Sequence, residues 1–159
     1  MKRILIALDY EPSAEKIAET GYAIATALNA EVTLLHVLAE PAYYSSMEYS
    51  PIMGFSGFIN NFDVGLSDTI KNDIQAQSQD FLNKSKSHLG NENIKTLITE
   101  GPFAESIIDA AESEQANIIV MGSHSRRGLD KFLMENVAEK VLHSSKIPVL
   151  VIPIIGTED

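Results

Sequence analysis

The sequence predicts a doubly wound α/β domain, a five-stranded parallel sheet with helices on both faces. Three observations carry this. Apolar runs at Ile4–Leu8, Val32–Leu38 and Ile118–Met121 lack the alternation of half-exposed strands and suit strands buried on both faces. Between them lie longer segments with apolar residues at helical spacing. Strand, helix and strand in succession make βαβ units, whose right-handed crossovers require parallel strands. Five strands alternating with four helices leave two natural orders, 3-2-1-4-5 and 2-1-3-4-5, and both set the first strand beside a reversal of strand order.

The first strand, Ile4 to Leu8, ends at Asp9. Pro12 fits the first turn of a helix, where its missing N–H costs nothing. Ile17, Gly21, Ile24, Ala25 and Leu28 carry that helix to Asn29, a plausible stop. The second strand, Val32 to Leu38, contains His36, which reads as a buried residue with a hydrogen-bond partner. A long loop at 39–65 follows. It holds Pro41, Pro51, Gly54, Gly57 and Gly65, no lysine or arginine, and six of the chain's eleven aromatic residues. A loop of that length suits a lid or an interaction segment, and its aromatics argue against free disorder.

Leu66, Ile70, Ile74, Phe81 and Leu89 mark the next helix, with Gly90 as its stop. Ile94 to Thr99 alternates more and suits an edge strand. Pro102 opens a helix striped by Phe103, Ile107, Ile108, Ala110 and Ala111. The buried strand at Ile118 then runs into Gly122-Ser123-His124-Ser125-Arg126-Arg127-Gly128. Asn136, with Glu139 three residues on, predicts a capped helix start ahead of Val137, Val141 and Leu142. The last strand, Ile147 to Ile152, has Pro148 near its start, which favours a sheet edge. Strand, polar loop and helix N-terminus together make a candidate phosphate site.

The chain of 159 residues is of single-domain length, residues 1–159. A net charge of −10 argues against non-specific DNA or RNA binding, which needs a basic surface. With no cysteine there are no disulfides, thiolate metal sites or cysteine nucleophiles. Met1-Lys2-Arg3-Ile4 resembles a signal peptide only superficially, since Asp9 cuts the apolar run short, and no run approaches membrane-spanning length. A cytoplasmic protein without membrane attachment is expected. His36, His88, His124 and His143 include no pair at metal-motif spacing, so no metal site is expected. Ser123 and Ser125 lack an identifiable base, and neither a Walker loop nor a full Rossmann fingerprint is present.

Taken together, Asp9, His36-Val37, Gly101-Pro102-Phe103-Ala104-Glu105, Met121-Gly122-Ser123-His124, Val137-Ala138-Glu139-Lys140-Val141 and Pro148-Val149-Leu150-Val151 resemble the universal stress protein family over essentially the whole chain. The resemblance implies order 3-2-1-4-5, a homodimer joined through the last strand and, in one branch, ATP in the crevice beside the first and fourth strands. That branch carries G-x-x-G, nine residues, then G-[ST]. On this chain the positions are Gly122, Ser125 and Glu135-Asn136, so only the first glycine is kept. Ser125 still suits phosphate. Glu135 would place a carboxylate ahead of the expected helix N-terminus and repel it. Arg126, Arg127 and Lys131 pull the other way. The first βα turn also departs, being one residue short with Tyr10 in place of a small residue.

By carry-over, Asp9 and Val37 approach base and ribose. Gly122, Ser123, Ser125 and Asn136 approach ribose and phosphates, with His124 in the same loop and Val137 following Asn136. AMP or ADP is easier to accommodate than ATP. The expected function is a non-enzymatic stress-response protein responding to an adenine nucleotide. The alternatives are a nucleotide-free dimeric interaction module, with the 41–62 loop meeting a protein partner, and a weak ATPase.

Overall fold

The computed structural model of the chain describes residues 1–9, 13–38, 68–123 and 129–154, with backbone alone at 68–70 and 129–136. The Pro12 helix start, the 39–65 loop, and His124, Ser125, Arg126 and Arg127 lie outside the described residues. The element order is β1 (Arg3–Ala7), α1 (Ser13–Ala27), β2 (Glu31–Leu38), α2 (Asp68–Leu89), β3 (Lys95–Glu100), α3 (Phe103–Ser113), β4 (Ile118–Gly122), α4 (Leu129–Ser144) and β5 (Val149–Ile152). The strands form one five-stranded sheet, ordered β3-β2-β1-β4-β5, with every pairing parallel. Expected edge strands β3 and β5 are the edges.

Period-two alternation divides the core between the two faces. Ile4, Ile6, Leu34, Val120 and Ile152 pack with Ile17, Ala18 and Leu82 of α1 and α2. Leu5, Leu35, Val37, Ile119 and Met121 pack with Ala104, Ile107, Val137 and Val141 of α3 and α4. Helix α1 lies close to the sheet because two side chains are missing. A Cβ on Gly21 would sit 2.7 Å from Ile6 Cδ1, and one on Gly122 would sit 2.5 Å from Ile17 Cδ1.

The expected stops hold for two helices. Asn29 takes φ 54° just beyond α1. Gly90 takes φ 74° after α2, and its N–H donates to the Lys86 and Ser87 carbonyls. Three local expectations need correction. In α2 the fully buried line is Ile74, Ser78 and Leu82, at i, i+4 and i+8, with Phe81 and Leu89 only flanking it. Leu142 of α4 faces outward, because the sheet-facing line is Val137, Ala138 and Val141.

The third correction concerns Asn136. Helix α4 begins at Leu129, so Asn136 and Glu139 lie within it rather than forming its cap. The stretch Leu129 to Glu135 contains Leu, Lys, Met and Glu, all good helix formers, and these extend the helix back past the cap-like pattern. Glu135 is therefore also inside the helix and not ahead of its first turn.

Candidate functional site

The crevice at the reversal of strand order lies at the carboxyl ends of β1 and β4, where open α/β sheets hold ligands. The register fixes what stands there. Ala7 pairs with Leu35 and Ile6 with Val120. Continuing both ladders sets Asp9 level with Val37 on one side and Ser123 on the other. Three candidates far apart in sequence thus come to one level of the sheet, with Gly122 one residue below.

Each is held by identifiable contacts. Leu8 N–H donates to the Leu35 carbonyl at 2.8 Å, which carries the β1–β2 ladder to the threshold of Asp9. His36 is buried, as its strand position suggested, and its Nδ1 bonds the Leu8 carbonyl at 2.9 Å. A carbonyl only accepts, so Nδ1 carries the proton in this contact. The ring also meets Phe81 edge-on at 5.8 Å, which ties the end of β1 to α2. Asp9 Oδ2 is buried.

Val37 is buried among Leu5, Leu35, Ala104 and Ile107, so its side chain serves the α3 face of the core. Ser123 N–H donates to the Ile152 carbonyl, and its Oγ accepts from Ile154 N–H at 3.0 Å. The serine therefore fastens the chain leaving β5 to the exit of β4. Gly122 has a packing duty towards Ile17 as well as its place in the loop.

The remaining candidates are distributed differently. Val137 is buried against the α3–α4 face and is a core residue. Asn136 stands in the interior of α4, away from the helix N-terminus that was expected to cradle phosphate. At the opposite end of the sheet, a polar recess of about 740 Å³ is bordered by Arg3, Glu31, Asn91, Lys95 and Gln115. Its charges are already matched, Arg3 to Glu31 and Lys95 to Glu114, and it lies at the amino ends of the strands.

A model of the Universal stress protein family matches residues 1–153 of this chain. The chain belongs to the universal stress protein family. Among its relatives is Universal stress protein MJ0577 of Methanocaldococcus jannaschii, 31% identical over 153 residues, covering 95% of this chain and 94% of the relative. Universal stress protein A of Escherichia coli K12 is 26% identical over 158 residues, covering 99% and 98%. The solved structure of MJ0577 superposes with a TM-score of 0.72 at 30% identity, covering 98% of each chain. A universal stress protein solved in complex with cAMP shares the fold, with a TM-score of 0.59 at 16% identity over 95% of each chain. Within the family fold, order 3-2-1-4-5 is what sets Asp9 and Ser123 just beyond the carboxyl ends of neighbouring strands.

Proposed function

We infer that this universal stress protein binds an adenine nucleotide at the carboxyl ends of β1 and β4, and acts as a nucleotide-responsive binding protein rather than an enzyme. One observation carries the reading. Continued past Ala7 and Val120, the β1–β2 and β1–β4 ladders lead to Asp9, Val37 and Ser123 at the switch point, with Gly122 one residue before Ser123. A carboxylate there accepts hydrogen bonds from ribose or base. The cAMP complex of a relative with the same fold supports an adenine ligand. AMP or ADP fits better than ATP, because the chain keeps only the first glycine of the nucleotide-binding pattern, Gly122.

Calorimetric titration of AMP, ADP and ATP into the full chain tests this. Saturable binding that weakens at least about tenfold (about 1.4 kcal/mol) in Asp9→Ala is expected. Absence of binding at millimolar nucleotide overturns the reading. ADP production no greater than that of Asp9→Ala is expected from the non-enzymatic assignment.

The edge strand β5 favours a second element of the reading, a homodimer. Val149 and Val151 are half-buried and Leu150 is exposed on an edge strand that pairs on one side only among the described residues. A dimer mass by light scattering at micromolar protein is expected. A monomeric mass, or one unchanged between wild type and a Leu150→Lys variant, counts against pairing through β5.

A further inference from the structure

Glu15 and Glu19 stand one turn apart on α1, so both carboxylates leave the same side of the helix. His88, in the last turn of α2, meets them across the junction of the two helices. Its Nε2 lies 3.3 Å from Glu15 Oε2 and 2.6 Å from Glu19 Oε2. One ligand atom from each residue falls within 4.8 Å of the other two. Glu15 and His88 border a recess of about 360 Å³, floored by the small Ala14 and Ala18.

The lysines nearest His88 in α2 are engaged elsewhere. Lys84, on the same recess, pairs with Asp80 at 3.2 Å, and Lys86 pairs with Glu92 at 3.7 Å. Among the described residues, no lysine or arginine forms an ion pair with Glu15 or Glu19. Two carboxylates therefore converge on one imidazole as their partner, a place a divalent cation can take when the ring is neutral.

We propose that Glu15, Glu19 and His88 form a site for a zinc-class divalent cation that fastens α1 to α2. In a tetrahedral shell with bonds of about 2.0–2.1 Å, neighbouring ligand atoms stand about 3.3 Å apart. The Glu15–His88 separation of 3.3 Å already has that value. Glu19 at 2.6 Å is a hydrogen-bond contact and must draw back by about 0.7 Å, a small rotation for an exposed side chain. Water fills the fourth position. An imidazole beside two carboxylates favours zinc-like ions over calcium, which takes more oxygen ligands, and magnesium, which keeps its waters. These ligands are distinct from the residues assigned to the nucleotide, so the two readings stand or fall separately.

The test adds Zn²⁺ to full-length protein stripped with chelator, followed by calorimetry and melting. One ion per chain is expected, with a rise in melting temperature. Glu19→Gln and His88→Gln weaken binding by at least about tenfold and lose the rise. His143→Gln, an exposed histidine on α4, leaves both unchanged. Co²⁺ in place of Zn²⁺ gives the visible absorption of a tetrahedral site in the wild type and not in His88→Gln. No uptake of micromolar Zn²⁺ by the wild type, or equally tight uptake by His88→Gln, overturns the proposal.

Discussion

At the scale of single residues, Gly122 has two duties, and one of them is measurable without a ligand. Ile17 is buried, and its Cδ1 occupies the place of the absent Gly122 side chain. Gly122→Ala should cost about 1–3 kcal/mol by overpacking. Ile17→Val removes the obstructing methyl, so the double variant should be less destabilised than the sum of the single ones, as read by urea denaturation. Strict additivity would mean that the two groups do not compete for space. His88 offers a pH prediction for the metal-free protein. The hydrogen bond to Glu19 holds its pKa above the ordinary 6.5, and the charges of Glu15 and Glu19 add to this against partial desolvation. A pKa raised by folding means stability that is full below 6.5 and fades as pH climbs through the folded value. In chelator, the gap in melting temperature between wild type and His88→Gln should therefore be wider at pH 6 than at pH 9.

At the scale of elements, the strands were the most readable features. Doubly buried β1, β2 and β4 leave apolar runs without strict alternation, interrupted only in β2 by Thr33 and His36. The helices were placed well but their faces less so. The stripe drawn through Phe81 missed Leu82 and Ser78, because a buried serine carries no hydrophobic signal. Asn136 with Glu139 imitates a cap, and a local pattern cannot show that the chain ahead of it is already helical. The two readings of Asn136 differ in sign. Loss of a cap on Asn136→Ala would cost about 1 kcal/mol. Replacement of an interior asparagine by alanine should instead stabilise the protein by a few tenths of a kcal/mol, about the difference in helix propensity. In α2, Leu82→Ala should cost about 2–5 kcal/mol because it empties a closed position. Exposed Leu142→Ala in α4 should change stability by no more than about 0.5 kcal/mol.

At the scale of the whole molecule, the strand order follows from family resemblance more than from composition, since the residues alone allowed two orders. The structure has the one that makes β1 central, between β2 and β4. That order also brings together groups whose partnership no sequence motif announces. Glu19 and His88 meet across 69 positions. Arg3, which at first reading suggests the basic start of a leader, donates through its backbone to Asn117 and through its guanidinium to Gln115 and Glu31.

The Arg3–Asn117 contact spans 114 positions. Synthesis proceeds from the amino end, so β1 emerges long before the strand that will cover its second edge. Until β4 leaves the ribosome, Ile4, Leu5 and Ile6 can pair only with β2, and one flank of this central apolar strand stays open. Chains stalled at Ser113 should therefore be protease-sensitive and bind chaperones, while chains released beyond β4 should become resistant in a single late step. Pulse proteolysis of arrested chains of graded length would locate that step, and a gradual rise in protection from the first strand onward would contradict it.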